Sequence, residues 1–174
     1  MAPDNGVLTA VFRDIPPKRV VELTERRYAR PTVSRTFEGR DRFAPAAAWL
    51  AKGIQLSALG RPVTGYQHVD IPQPGANESQ LSGVVLLVDR FGNLVTNIDR
   101  RTFETFTRGQ PVVLKVADKP IAGVVATYAD IRPGEVCALF GSTEHIEFAV
   151  NGGSAAAALG VARGAGVEIT RQHP

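Results

Sequence analysis

The chain has 174 residues, of which 44% are hydrophobic and 21% charged, and its formal net charge is +3. This length and apolar content are enough for one sizeable core or two small ones, which indicates a globular chain. No apolar run approaches the ~20 residues that would span a bilayer, and the start MAPDNGVLTAVF lacks a basic region followed by an apolar one, so we expect a cytoplasmic protein. The single Cys137 excludes an intramolecular disulfide bond.

The excess of positive charge is concentrated in one early segment. Between Lys18 and Arg42 there are eight Lys or Arg residues and four acidic ones. Such a patch can attract an anionic partner. Proteins that bind single-stranded nucleic acid also stack bases on aromatic side chains, and this segment has only Tyr28 and Phe37. The composition therefore favours a solvated surface or a protein interface over a nucleic-acid partner.

Alternation and composition predict the elements of the first part of the chain. Residues 7–12 and 20–24 are expected to be short strands, separated by the breaker sequence DIPPK. The basic segment 26–42 has no clear period, which indicates a loop. Residues 43–53, FAPAAAWLAKG, predict a helix rich in Ala that ends before Gly53.

A change of pattern then indicates a domain boundary. Residues 70–80, DIPQPGANESQ, have the Pro, Gly and polar composition of a linker. Beyond them, a short helix is expected at 154–160, where Ser154 can cap the start and Gly160 the end. The rest of residues 81–174 is predicted to be a mostly antiparallel β domain, with strand candidates at 82–88, 94–98, 111–116, 121–128, 135–141, 145–150 and 166–171.

Three polar clusters could carry chemistry, at residues 36–43, 89–93 and 141–156. No metal site is expected, because the histidines do not lie at ligand spacing: His68, His145 and His173. A G-x-S-x-G nucleophile motif is absent from the sequence. The stretch NGGSAA lacks the lysine and spacing of a phosphate-binding loop. Each cluster taken alone can be explained by turns.

Taken together, the clusters resemble the signatures of one family, the S-adenosylmethionine (SAM) hydroxide adenosyltransferases, which are relatives of the SAM-dependent fluorinase and chlorinase. The blocks occur in the family's order: APDNGVLTAVF, TFEGRDRFAPAAAWLAKG, VDRFGNLVTNI, TYADIRPGE and GSTEHIEFAVNGGSAA. The resemblance implies an incomplete α/β N-terminal part over residues 1–69 and a β-barrel-like domain over 81–174. It also implies a homotrimer with the site at the interface between subunits.

The resemblance implies cleavage of SAM. Members of the family cleave SAM by attack of water or halide on ribose C5′ and release methionine and an adenosine product. The sulfonium leaves as a neutral thioether, so the site needs no general acid and has to place and desolvate the nucleophile. No metal or redox cofactor is implied, since SAM itself is the substrate.

The resemblance assigns most substrate contacts to the second and third clusters. Asp89 would pair with the ammonium group of the methionine moiety. Phe91 would form a wall of the adenine pocket, and Asn93 would hydrogen-bond the edge of the adenine. Ser142 and Thr143 would lie near the methionine carboxylate, although halogenase-type members have an arginine in place of Thr143.

Further contacts are implied at the end of the third cluster. Backbone around Val150, Asn151 and Gly152 would meet the adenine, and Tyr128 would add an aromatic face. A local alternative stays open for residues 89–93, since an Asx-type turn between two strands would use the same carboxylate, glycine and amide equally well.

The first cluster contains the position nearest to the chemistry. Hydroxide adenosyltransferases have histidine where this chain has Glu38, in an Asp-Arg-His triad that orients the attacking water. A carboxylate can accept a proton from water in its place. Gly39 stands where the fluorinase has a halide-binding serine, which argues against fluoride chemistry, and Phe37 would shape the pocket. Arg40 and Asp41 could instead form a structural ion pair.

Family members begin with a substantial segment that carries a ribose-binding aspartate and the aspartate and arginine of the triad, whereas Met1 falls directly on the APDNG block. We therefore expect this chain to be a C-terminal portion or a remnant with little activity alone. Three alternatives to hydrolysis stay open. They are a chlorinase-like reaction with halide, a non-catalytic adenosine-binding or oligomerisation module, and a basic RNA-binding domain.

Overall fold

The computed structural model describes residues 1–172. The chain divides into two compact units, Met1–Ile71 and Pro72–Pro174, and the last two residues of the second unit lie outside the described part. No helix in the described part is long and apolar enough to cross a membrane.

The first unit consists of helices and turns beside one antiparallel strand pair. Its regular elements are helix α1 (Thr9–Asp14), strand β1 (Val21–Leu23), helix α2 (Ala44–Ala51) and strand β2 (Gly60–Pro62). Single helical turns lie between them, at Arg26–Tyr28, Gly39–Phe43 and Leu56–Leu59. Within the described first unit β1 and β2 form only this antiparallel pair, so the α/β part predicted for residues 1–69 is not confirmed.

The strand predicted at 20–24 is confirmed by the pairing of β1 with β2. Across this pair, the Nε of Arg61 donates to the Oε2 of Glu22 at 2.7 Å. Gly60 is required at the start of β2, because a Cβ there would overlap the carbonyl oxygen of Glu22. The close approach of the β1 and β2 backbones at this point therefore requires glycine at position 60.

The strand predicted at 7–12 is wrong, since these residues begin a helix, α1. The exposed apolar side chains Val7, Val11 and Ile15 follow one another at a spacing of four, which suits a helix face better than a strand. The short apolar run was compatible with both periods.

The helix predicted at 43–53 is confirmed as α2. It follows directly on the π-helical turn Gly39–Phe43, and Gly53 lies just beyond its end with a φ of +92°. Trp49 stays 40% exposed and packs edge-on against Tyr28, with 5.7 Å between the ring centroids.

The second unit is an antiparallel sheet of eight strands that nearly closes into a barrel. The strands are β3 (Gly75–Ala76), β4 (Gln80–Val88), β5 (Leu94–Asp99), β6 (Val112–Val116), β7 (Lys119–Ile121), β8 (Val136–Phe140), β9 (His145–Val150) and β10 (Gly166–Arg171). Their order is β7, β6, β10, β4, β5, β9, β8, with β3 paired to β4. A parallel bridge between Val124 and Ala138 brings the two edges together. The predicted antiparallel, barrel-like domain is confirmed at this level.

Alternation along the strands separates two faces. The inner face carries the main core, whose largest buried side chains include Leu81, Leu94, Ile98, Leu114, Ile146, Phe148 and Ile169. A smaller cluster covers the other face of β8 and β9 and consists of Cys137, Leu139 and Ala149, packed by Val125 and Ile131. We call this second face the outer face.

Part of the second unit differs from the sequence prediction. The segment 70–80 is not simply a linker, because β3 lies within it and pairs with β4. The strand expected at 121–128 ends at Ile121. Beyond it the chain keeps a bridge to β8 at Val124, and Asp130 then accepts hydrogen bonds from the backbone N–H groups of Ala126 and Thr127 and holds that backbone in a local turn.

Two helices interrupt the sheet. The predicted one is confirmed as α4 (Ala155–Leu159), with the hydroxyl of Ser154 accepting from the N–H of Ala157 and Gly160 in the left-handed region. Helix α3 (Arg100–Thr107) is absent from the sequence prediction. Its start is capped by Asp99, which accepts from the backbone N–H of Thr102 at 2.8 Å.

Candidate functional site

The 36–43 cluster lies in the first unit, at the entry to α2. Gly39 opens the π-helical turn, and a Cβ at this position would meet nothing within 4 Å. Phe37 and Glu38, the two residues before it, are exposed, and an oxygen of Glu38 lies 3.6 Å from the Nε of Arg42. The turn therefore presents an aromatic ring and a carboxylate beside an open glycine, in a geometry that is frequent at functional sites.

The buried side chain of Asp41 stabilises this turn. Its side chain is buried and accepts two hydrogen bonds from the guanidinium of Arg40, at 2.6 and 2.9 Å, and one from the N–H of Ser34. The hydrogen bonds from Arg40 and Ser34 hold the pKa of the Asp41 carboxyl far below its ordinary value. Arg40 also lies over the ring of Phe37. The ion pair thus has a structural role, and it shapes the surface that carries Phe37.

A shallow cavity of about 450 Å³ adjoins this ion pair. Two guanidinium groups, two hydroxyl side chains, one proline and one carboxylate line it: Arg30, Arg40, Thr32, Ser34, Pro31 and Asp41.

The 89–93 cluster forms the turn between β4 and β5. The carboxylate of Asp89 accepts from the N–H groups of Phe91 and Asn93 at 2.8 and 2.9 Å, and from the side-chain amide of Asn93 at 2.9 Å. Partial burial raises the pKa of Asp89, but these hydrogen bonds outweigh it, so the pKa lies below its ordinary value. The Asx-type turn is therefore present, and an ionised Asp89 is built into it.

This turn is fixed against the start of α4. Gly92 has a φ of +85°, and a Cβ there would overlap the side chain of Ser154. The carbonyl oxygen of Gly92 accepts a hydrogen bond from the N–H of Ala156 at 2.9 Å. Asn93 is buried, whereas Phe91 is 70% exposed. The turn thus presents its aromatic ring to the surroundings on a rigid base.

Residues 150–152 lie beside this turn, at the C-terminal end of β9. The backbone of Asn151 is bonded within the unit, to the carbonyl of Glu135 and the N–H of Gly134. Its side-chain amide donates to the carbonyl of Ile131. The hydrogen bonds of Asn151 are therefore used within the fold. Gly152 is exposed, has a φ of +77° and has room for a Cβ, so the surface beside it is open.

Ser142 and Thr143 lie at the opposite end of β9, in the exposed hairpin turn after β8. The carbonyl of Thr143 lies 2.7 Å from the Nδ1 of His145. Because β9 has six residues and a strand rises about 3.3 Å per residue, roughly 17 Å separate this turn from residues 150–152. The predicted substrate residues of the second unit are therefore grouped at two ends of one strand.

Tyr128 and an unpredicted residue, Glu147, are electrostatically coupled to each other and to Asp89. Tyr128 begins the helical turn Tyr128–Asp130 and is 39% exposed, and partial burial together with the charges of Glu147 and Asp89 raises the pKa of its hydroxyl. Burial and the charge of Asp89 raise the pKa of Glu147. Glu147 alternates with inward-facing residues in HIEFAV, so the period-two pattern could have identified it as a partly buried acid on the outer face.

Among the described residues no group of three His, Cys, Asp or Glu side chains could hold a metal ion. His68 and His145 lie in different units, and His173 lies outside the described residues.

Comparison with known proteins identifies the class to which these units belong. The model of the SAM hydroxide adenosyltransferase N-terminal domain matches residues 1–60, and that of the C-terminal domain matches residues 83–168. Between them the two models cover most of the chain. The chain therefore belongs to the SAM hydroxide adenosyltransferase family.

Individual relatives agree with this. An (R)-S-adenosyl-L-methionine hydrolase of Salinispora tropica is 38% identical over 173 residues, which are 98% of this chain and 64% of that protein. A fluorinase of Actinopolyspora mzabensis is 28% identical over 98% of this chain and 60% of its own length. An uncharacterized conserved protein from Thermotoga maritima, known from a crystal structure, matches with a TM-score of 0.77 and 35% identity over 98% of this chain and 66% of its own. The chain thus spans less than two thirds of the length of these relatives.

Proposed function

We propose that the protein containing this chain is a SAM hydrolase, which cleaves SAM at ribose C5′ with water to give adenosine and L-methionine. The observation that carries the proposal is the 38% identity to an (R)-S-adenosyl-L-methionine hydrolase over 98% of this chain. Both family models occur in it, in their expected order.

The chemistry requires little from the protein beyond placement. A water oxygen forms a bond to C5′ while the C5′–S bond breaks, and the electron pair of that bond goes to sulfur, which becomes a neutral thioether. The water proton passes to a base or to solvent. The proposed reaction uses no metal or redox cofactor, since orientation and desolvation of the nucleophile would provide the rate acceleration.

SAM would lie along the outer face of β9 in the second unit. Phe91, Asn93 and the backbone near Gly152 would hold the adenine end, and Ser142 with Thr143 the methionine carboxylate. The exposure of Phe91 on a rigid turn supports the adenine assignment. Asn93 would bind the adenine through its amide oxygen and its second N–H, because only one N–H is donated to Asp89.

The ammonium contact that the resemblance implies for Asp89 is not kept in this proposal, because the ammonium and carboxylate of methionine share one carbon and Ser142 and Thr143 lie at the opposite end of β9. Asp89 would instead line the adenine end of the site. Its Oδ1 accepts two backbone N–H groups, while its Oδ2 accepts only the amide of Asn93 among the described residues and can accept another donor. Tyr128 would close this side of the site, and the charge of Asp89 contributes to the raised pKa of its hydroxyl.

Glu38 would act as the base or orienting group for water, with Gly39 leaving space for the nucleophile and Phe37 shaping the pocket. The support is local: the carboxylate of Glu38 is exposed, and Gly39 has open space where a Cβ would point. This open space also permits chloride, which makes a chlorinase-like reaction the second candidate.

A homotrimer and a cytoplasmic location complete the proposal. Exposed apolar side chains beside the candidate turn, Leu87 and Val88, are suited to burial against another subunit. The unpaired, buried Cys137 is compatible with a reducing compartment.

Product analysis tests the reaction. The full protein product of the frame that contains this chain is incubated with SAM in ¹⁸O-labelled water, with and without chloride, and the products are identified by mass spectrometry. We expect adenosine with one ¹⁸O at the 5′ position, plus unlabelled methionine. Chlorodeoxyadenosine in the chloride arm would establish the halide reaction instead, and unchanged SAM in both arms would refute both reactions.

A further inference from the structure

Glu147 lies midway along the strand that connects the two groups of candidate residues. It pairs with Val95 of β5 on one side and Leu139 of β8 on the other. Its neighbours Ile146 and Phe148 point into the core, so its own side chain lies on the outer face, together with Leu139.

The Glu147 carboxylate leans towards the Ser142 end of this face. A Cβ on Gly141 would overlap the carboxylate of Glu147, so the glycine leaves the space that the carboxylate fills. At the other end, the charge of Asp89 is close enough to raise the pKa of Glu147. The Glu147 carboxylate thus lies beside Gly141, next to the turn that contains Ser142, and is within electrostatic range of Asp89.

This carboxylate has no partner among the described residues. The side chain of Glu147 forms neither a hydrogen bond nor an ion pair with another described residue, whereas the nearby Glu144 forms an ion pair with Arg100. The charge of His145 lowers the pKa of Glu147. The imidazole of His145, however, contacts the carbonyl oxygen of Thr143 and not the Glu147 carboxylate. A partly buried carboxylate beside a second carboxylate is costly unless a cation completes the arrangement.

The proposed substrate supplies such a cation at the corresponding place. With adenine at the Phe91 end and the methionine carboxylate at the Ser142 end, the sulfonium centre falls between them. We infer that Glu147 faces the sulfonium of SAM and makes the site specific for the cationic substrate over neutral thioether analogues. This inference rests on the proposed function and deepens it.

The inference has a kinetic consequence. The positive charge on sulfur disappears as the C5′–S bond breaks, so attraction to Glu147 is stronger in the bound substrate than in the transition state. Glu147 therefore favours SAM binding and subsequent product release rather than the chemical step. Glu147→Gln should raise KM for SAM without lowering kcat.

Titration calorimetry with two ligands tests the inference directly. SAM and S-adenosylhomocysteine differ by the S-methyl group and its positive charge, and share the same ammonium and carboxylate groups. For the full protein carrying Glu147→Gln we expect roughly tenfold weaker binding of SAM and less than twofold weaker binding of S-adenosylhomocysteine, because one charge-assisted contact is lost. Glu168→Gln is the matched control, since it removes an equal charge from an exposed position of β10.

The outcomes separate the inference from the function on which it rests. Equal weakening of both ligands, or no change for SAM in a protein that still hydrolyses it, would overturn the role of Glu147 alone. Failure of the wild-type protein to bind or cleave SAM would remove the proposed function and the inference together. Should Glu147→Gln not fold, Glu147→Asp keeps the charge on a shorter side chain, and we expect it to retain most of the preference for SAM over S-adenosylhomocysteine.

Discussion

At the residue scale, two turns are held in shapes that particular side chains require. Gly92 has a positive φ and lies directly against Ser154, so both its backbone conformation and the lack of space for a Cβ require glycine. Asp41 and Asp89 are each ionised acceptors for several donors within their own turns. The same carboxylates that fix the backbone also set the charge of the surfaces that we propose for substrate.

Gly92→Ala should destabilise the protein by about 2 kcal/mol or more, because it combines left-handed backbone strain with overpacking against Ser154. Gly152→Ala is the control, since Gly152 has a similar φ of +77° but open space around it. For this control we expect a loss of about 1 kcal/mol, from strain alone. Urea unfolding followed by circular dichroism measures both, and equal losses would show that the contact with Ser154 has no energetic weight.

Asp41 should make the stability of the first unit sensitive to acid. Its pKa is lower in the folded state than in the unfolded state, so its contribution is fully present above a pH of about 4 and is lost as the pH falls towards the folded pKa. The difference in melting temperature between wild type and Asp41→Asn should therefore shrink between pH 7 and pH 3. The exposed Asp14→Asn is the control, and a pH-independent difference for Asp41→Asn would contradict this account.

At the scale of elements, periodicity predicted most of the sheet and failed where local polar groups redirected the backbone. The strands β4, β5, β6, β8, β9 and β10 and the helices α2 and α4 follow from apolar alternation, Ala content and caps. The stretch after Ile121 is apolar enough for a strand, but it forms only an isolated bridge to β8 at Val124, and Asp130 accepts the N–H groups of Ala126 and Thr127 beyond it. In α1 a spacing of four was mistaken for alternation, because six residues are too few to decide the period.

Helix α3 shows what the sequence could have revealed. Asp99 precedes it as a capping residue, and Phe103 and Phe106 follow at a helical spacing of three. The flanking strand pattern concealed this signal. The candidate site was predictable in its turn residues, Asp89 to Asn93, but the separation of Ser142 from them depends on strand pairing between distant segments, which one sequence does not reveal.

Asp99→Ala should weaken α3 and cost about 1 kcal/mol, because the first-turn N–H of Thr102 loses its acceptor. Hydrogen exchange of the α3 amides is the measurement, and we expect faster exchange in the first turn. Thr105→Ala, at an exposed position within α3, is the control and should leave exchange unchanged or slower. Unaltered exchange in Asp99→Ala would mean that tertiary packing, rather than the cap, holds this helix.

At the scale of the whole molecule, the chain combines two units that match the two domains of one enzyme family. The second unit supplies a barrel-like sheet on which loops at both ends of β9 carry the proposed substrate groups. The first unit supplies the π-helical turn with Glu38 and Gly39.

Association should depend on the apolar surface beside the candidate turn. We expect the mass of three chains in sedimentation experiments, and Leu87→Asp should shift the protein towards smaller species because Leu87 is 47% exposed and apolar. Lys115→Asp, at an exposed position of β6, is the control and should not alter the mass. A monomer in the wild type would contradict the trimer.

The most direct test of the account is whether SAM binds at the turn between β4 and β5. Titration calorimetry of SAM into the full protein should show saturable binding with one site per chain. Phe91→Ala should weaken that binding at least tenfold and leave the melting temperature unchanged, since the ring is exposed and its turn is held by backbone contacts. Wild-type binding that is unaffected by Phe91→Ala, or no binding at all, would contradict the proposed site.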